Sequence, residues 1–203
     1  VLLLVALLLF LPPSVSGSTQ LSESEETIER GKYLVIAGGC ISCHRGENEE
    51  ESFAGGLALV SDFGTFYAPN ITPDMETGIG SWEAKDFLLA LQHGRKPGGG
   101  FYYPAFPYRA YAGLRDEDVL DIGSYLMSLE PQRNAVSEAE TPVWLNRWAM
   151  VGWNLLADIS EADTETFDDE LVARGAYIAR NLGHCSECHT PRTAVGILAR
   201  KTD

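Results

Sequence analysis

The chain is poor in positive charge, in cysteine and in long apolar runs, and each shortage excludes something. Lys and Arg number 15 against 29 Asp and Glu, for a formal net charge of −14. Nucleic-acid binding needs a basic footprint to neutralise phosphates, and this composition does not supply one. An acidic surface serves solubility, and it suits docking to a basic partner equally well. The most apolar run, VLLLVALLLFLPP at residues 1–13, is about a dozen residues before its prolines, too short to span a bilayer comfortably. No hydrolytic triad or phosphate-cradling loop is recognisable. Gly98-Gly99-Gly100 lacks a preceding strand and the GxGxxG order, and reads as a flexible turn. Cysteine occurs only four times.

Those four cysteines all fall in two pentapeptides, Cys40-Ile41-Ser42-Cys43-His44 and Cys185-Ser186-Glu187-Cys188-His189. Each reads C-x-x-C-H, the attachment signature of a c-type haem. Cysteines three apart share one side of a helical turn. They can bond the two vinyl groups on one edge of a porphyrin, and the following histidine can place its imidazole under the iron. Cys40, Cys43, Cys185 and Cys188 are therefore the candidate attachment residues for two haem c groups, and His44 and His189 the axial ligands. Three other readings compete. Two disulfides would leave both histidines unexplained. One zinc site of four cysteines would have to close over a very long stretch of chain. A thioredoxin-like redox pair needs only one C-x-x-C.

Residues 1–17 resemble part of a secretory signal, with an apolar core, two prolines and small residues up to Gly17. The initial methionine and basic leader of such a signal are missing, so the sequence is expected to start inside it. A membrane-anchoring first helix is the alternative. Export to the periplasm is the expected destination.

Segment 18–27, rich in Ser, Thr and Glu, reads as a flexible start. Helical spacing of Ile28, Gly31, Leu34 and Val35 predicts a helix over Thr27–Ala37, stopped by Gly38-Gly39 before the first pentapeptide. From Gly46 to Gly80 no helical period holds, and Ala68-Pro69-Asn70-Ile71-Thr72-Pro73-Asp74 reads as loop. A second helix is predicted from Ser81 as N-cap to His93. A Gly/Pro/aromatic loop, Lys96–Tyr111, follows. Val119, Ile122, Leu126 and Leu129 predict a third helix over Asp116–Leu129, stopped by Pro131. Residues 135–170 read as a connector with an apolar stretch, Val143–Ile159, carrying Trp144, Trp148 and Trp153. Packing between two domains is the simpler reading of these tryptophans, and a membrane-surface element the other. An acidic run, Glu161–Glu170, closes it.

A repeat then becomes visible. Arg30-Gly31-Lys32-Tyr33-Leu34 leads to Cys40, and Arg174-Gly175-Ala176-Tyr177-Ile178 leads to Cys185 with one extra residue before the cysteine. This is a duplicated helix plus attachment turn. Domain 1 is expected over 18–134, a linker over 135–170, and the start of a second domain over 171–203. Only fourteen residues follow His189, so the second copy is expected to be cut short here.

GKYLVIAGGCISCH, FGTFYAPNITPDMETGIGSWEAKDF, YYPAFPYRAYAGLRDEDVLDIGSYLMSL and LGHCSECHTPR resemble the multihaem c-type cytochrome subunits of bacterial periplasmic dehydrogenases of the alcohol, aldehyde and gluconate type. The resemblance runs from about residue 29 to 193, with the blocks in order. It implies an all-α fold of tandem class I cytochrome c-like domains, the second truncated, whose first and last helices pack together; Gly31 is well placed for that approach. It implies two or three haems in the intact protein, a partner dehydrogenase as electron donor, and a quinone or terminal oxidase as acceptor. Association with the inner membrane stays open, and no intrinsic catalysis is expected.

One departure stands out. Relatives with His/Met ligation read YPAMPY before the terminal helix, and that methionine is the sixth iron ligand. Here the loop reads Tyr103-Pro104-Ala105-Phe106-Pro107-Tyr108, and phenylalanine cannot coordinate iron. His93, Met75 and Met127 are the candidates for the sixth position of haem 1, with an open site as the alternative. The sixth ligand of the second haem is expected beyond Asp203. A dihaem enzyme, peroxidase-like or thiosulfate-oxidising, is the competing function, because catalysis needs an accessible or unusually ligated iron.

Overall fold

The Ser24 hydroxyl accepts a hydrogen bond from the Thr27 N–H at 3.3 Å and starts helix α1, Glu25–Ala37. Glu25 and Glu26 in its first turn complement the positive end of the helix dipole. The computed structural model describes residues 20–46, 52–146, 149–160 and 167–198. The leader and part of the acidic run, 161–166, lie outside the described residues, as does Trp148. In chain order there follow α2 (Cys40–His44), strands β1 (Ala58–Ser61) and β2 (Gly64–Tyr67), α3 (Ala84–His93), α4 (Tyr108–Tyr111), α5 (Asp116–Met127), α6 (Ala149–Ser160), α7 (Glu170–Tyr177), a π-helical turn (Ile178–Leu182) and α8 (Ser186–His189).

The packing of α1 on α5 organises the molecule. α1 buries Thr27, Gly31, Leu34 and Val35, one side at helical spacing. A side chain at Gly31 would collide with the Asp121 carbonyl and the Tyr125 Cβ, so glycine there lets two backbones meet. Beside that contact the Arg30 Nε donates to Asp121 Oδ2 at 2.8 Å, which pairs a buried carboxylate. α3 lies on the other flank of α5, where the Phe87 ring faces Gly123. Val35, Phe87, Leu88, Val119 and Ile122 form the centre of the core. Each such side chain contributes about 1.5–3 kcal/mol by leaving water.

Three helix ends differ from the sequence reading. α1 starts two residues earlier because Ser24 caps it. α3 starts at Ala84 rather than after Ser81, since Trp82 N–H bonds the Ile79 carbonyl in a turn and the Asp86 carboxylate takes the Glu83 N–H at 2.8 Å. α5 stops at Met127, where the Ser128 hydroxyl donates to the Tyr125 carbonyl at 2.7 Å.

The region read as irregular contains an antiparallel hairpin, with Leu59 opposite Phe66 and Val60 opposite Thr65. The fold is thus helical with a small two-stranded sheet rather than purely α. Its turn, Asp62-Phe63, closes at Gly64 with φ +122°, a backbone that suits glycine. The start of the connector pairs with β2: Thr65 and Glu140 exchange both backbone hydrogen bonds, at 3.0 and 2.9 Å. A second small core gathers Phe101, Leu145 and Met150 with Phe63, Phe66, Tyr103 and Trp153 around it. Trp153 Nε1 donates to the Val195 carbonyl at 2.9 Å, so this tryptophan joins the connector to the second attachment segment. Trp144 is largely exposed. Among the described residues no helix is long and apolar enough to cross a membrane.

Candidate haem-attachment sites

Gly39, with φ +65°, turns the chain sharply after α1 and starts α2. Cys40 and Cys43 therefore lie on one short helical turn, with His44 at its end. No disulfide joins any of the four cysteines. Burial pushes the Cys40 thiol up to about 12. Burial also raises Cys43, and the charge of Cys188 adds to the shift. Among the described residues no three His, Cys, Asp or Glu side chains gather as a metal site.

The His44 ring is fixed from behind. Its Nδ1 lies 2.8 Å from the Pro69 carbonyl oxygen. A carbonyl can only accept, so Nδ1 carries the proton and Nε2 keeps its lone pair. Burial lowers the pKa of the ring, and the Pro69 carbonyl opposes that shift. A neutral imidazole with one nitrogen anchored to a backbone carbonyl is the arrangement a metal-binding histidine needs. The donor set of the first site therefore fits a thioether-linked haem.

Pro69 is held in place by its neighbour. Asn70, 2 % exposed, accepts from the Thr72 N–H at 2.9 Å and from the Thr72 hydroxyl at 2.7 Å. Its amide donates to the Gln132 carbonyl at 2.7 Å and to Thr77 at 3.1 Å. Asn134 adds bonds to the carbonyls of Ala54 and Gly55. The chain just after α5 thus clamps the loop that positions His44. Sequence reading identified this loop but not its part in the site. The signal was there in the Asn-Ile-Thr-Pro run, whose short polar side chains bond their own backbone.

The other candidates lie on three different elements. Met75 is 70 % exposed, its sulfur against Gly80 in a turn held by Asp74. His93 ends α3, where burial and the Arg95 charge lower its pKa while Asp116 opposes them. Met127 packs at the edge of the main core. Among the described residues none of the three shares a hydrogen bond or ring contact with His44. Phe106 does reach the neighbourhood: its ring centroid lies 5.6 Å from that of Tyr111, and the Tyr111 hydroxyl is within electrostatic range of Cys40 and Cys43.

The second pentapeptide forms a similar turn on α8. Cys185 and Cys188 are exposed, and the Arg192 guanidinium pairs with Glu187 inside the motif. His189 is exposed at the end of α8. The donors match those of the first site, without the enclosing loop.

The profile of the family described as Cytochrome c matches residues 28–130, from α1 to the end of α5. The chain is 40 % identical over 177 residues to a diheme cytochrome c-type protein of Cereibacter sphaeroides, covering 83 % of this chain and 58 % of that protein. It is 38 % identical over 174 residues to the gluconate 2-dehydrogenase cytochrome c subunit of Pantoea cypripedii, covering 84 % and 39 %. It is 38 % identical over 179 residues to the fructose dehydrogenase cytochrome subunit of Gluconobacter japonicus, covering 86 % and 37 %. The chain thus spans little more than half of the first relative and well under half of the other two. The match over the helical core and the first attachment turn settles the family: this chain belongs to the cytochrome c family, and its cofactor is haem c.

Proposed function

We propose that this chain is the haem-bearing part of a periplasmic electron-transfer subunit, which takes electrons from a partner dehydrogenase and passes them toward a quinone or a terminal oxidase. The observation that carries the reading is the His44 imidazole, anchored through Nδ1 to Pro69 on the turn that bears Cys40 and Cys43. Cys40 and Cys43 would hold one haem and Cys185 and Cys188 the other, with His44 and His189 as axial ligands. The haem iron supplies the redox change, a single electron gained or lost. The protein residues bind it, fix the imidazole tautomer and exclude water from one side. Relatives named as subunits of gluconate, fructose and alcohol dehydrogenases support a dehydrogenase as donor. The apolar leader supports export.

A tandem arrangement is part of the proposal. In the second repeat Arg174-Gly175 stands where Arg30-Gly31 stands in the first. A Cβ at Gly31 meets α5, whereas at Gly175 nothing lies within 4 Å. Leu171 and Val172 beside it are exposed. This side of α7 suits a closing helix of its own, as α5 serves α1.

One observation favours the competing enzyme reading: Phe106 stands in the loop where a methionine ligand is expected, and Met75 is largely exposed. The test is to mix the reduced holoprotein with carbon monoxide, and separately with a quinone analogue. Rapid reoxidation without carbon monoxide binding supports the carrier. Binding to one haem together with peroxide turnover supports the enzyme.

A further inference from the structure

Tyr111 ends α4, 7 % exposed, and stands between the two attachment turns. Its ring meets that of His184, just before Cys185, edge-on with centroids 5.6 Å apart. On its other flank it packs in the core cluster that Cys40 borders. Cys40 and Cys43 of the first turn, and Glu187 of the second, all lie within electrostatic range of its hydroxyl.

Three contacts keep the second turn in this position. The Leu182 side chain, 1 % exposed, enters the main core against Gly38. Asn181 lies against Gly113. The Tyr177 hydroxyl donates to Asp118 Oδ2 at 2.5 Å and accepts from the Arg115 N–H at 3.2 Å. The counterpart of Tyr177 in the first repeat, Tyr33, is 53 % exposed. The extra residue before Cys185 falls within the π-helical turn, where the Gly183 N–H reaches back five residues to Ile178 at 2.7 Å. One added residue would rotate an α-helix by about 100°; the wide turn absorbs it, as π-bulges do at functional positions.

We propose that Tyr111 is the positioning residue between the two haem sites, and that the π-helical turn with its Leu182 and Tyr177 anchors holds the second site against it. This rests on both pentapeptides carrying haem. Tyr111 is not itself oxidised or deprotonated. With both haems bound, an electron lost by one iron would be gained by the other, and no bond would be made or broken at the tyrosine.

The test uses the dihaem holoprotein and the circular dichroism of its Soret band, which shows a two-signed couplet when two haems lie close in a fixed orientation. Covalent haem is counted by mass in every preparation. Wild type and Tyr111→Phe, which keeps the ring, are expected to show the couplet. Tyr111→Leu is expected to lose it with both haems attached. So is His184→Asn, a change at a less buried position that keeps a residue tolerant of the positive φ of 40° there. A couplet unchanged in both of these variants, or absent from a wild type carrying two haems, overturns the placement. A wild type without two covalent haems overturns the haem assignment and the placement together, and the mass tells the two failures apart.

Discussion

His44 Nδ1 and the Pro69 carbonyl oxygen meet at 2.8 Å across 25 residues of sequence. The attachment turn brings the imidazole, and a loop fixed from the far side of the domain brings the carbonyl. Asn70 is the pin of that loop. Asn70→Ala leaves the buried Thr72 N–H without its partner and removes the amide bonds to the Gln132 carbonyl and Thr77, the Gln132 carbonyl keeping the Thr72 hydroxyl at 3.2 Å. The expected cost is about 2–3 kcal/mol in denaturant unfolding of the holoprotein. A loss near zero would show that the loop holds its shape without the asparagine.

Gly31 and Gly175 occupy matching positions in the repeat and predict opposite outcomes. Gly31→Ala drives a methyl group into the Asp121 carbonyl and should destabilise by roughly 1–3 kcal/mol. Gly175→Ala in this chain meets open space inside a helix and should stabilise α7 by about 0.8–1.0 kcal/mol. In a longer protein, where we propose a closing helix on α7, Gly175→Ala should become destabilising. Thermal unfolding of both lengths checks the pair, and a stabilising Gly175→Ala in the longer protein would contradict the tandem arrangement.

Asp74 sets a pH dependence. Its carboxylate accepts from the hydroxyl and N–H of Thr77, which hold its pKa below the usual 3.8. A depressed carboxylate stabilises the fold fully above its unfolded pKa and loses that contribution as pH falls through its folded pKa. Melting temperature should therefore fall below pH 3.8, and Asp74→Ala should flatten part of that fall. An identical acid limb in the variant would assign the effect to other carboxylates.

Phe106 stands in the loop where the resemblance to relatives with His/Met ligation leads one to expect methionine. Phe106→Met should introduce a far-red sulfur-to-iron charge-transfer band in the oxidised protein and raise the potential of the first haem. An unchanged spectrum would show that this loop does not face the iron.

Much of the fold was legible because its ends are punctuated. Gly38 and Gly94 stop α1 and α3 where the sequence reading put them, the latter in a left-handed C-cap. The attachment turns were legible because their chemistry needs a fixed spacing. The hairpin was not, since its strands are four residues each and buried on neither side strongly enough to impose alternation. The start of α3 was misplaced because Ser81 has the right side chain, while Asp86 captures the Glu83 N–H. The His44–Pro69 bond joins residues with no local pattern between them. The extra residue before Cys185 was visible, but its consequence, Leu182 turned into the first core, depends on packing.

The most direct measurement is the mass of the exported holoprotein after denaturation, with its peptides mapped. The account predicts two covalently bound haems, one on the peptide with Cys40 and Cys43 and one on the peptide with Cys185 and Cys188. Unmodified cysteines in either peptide of the correctly matured protein would contradict it.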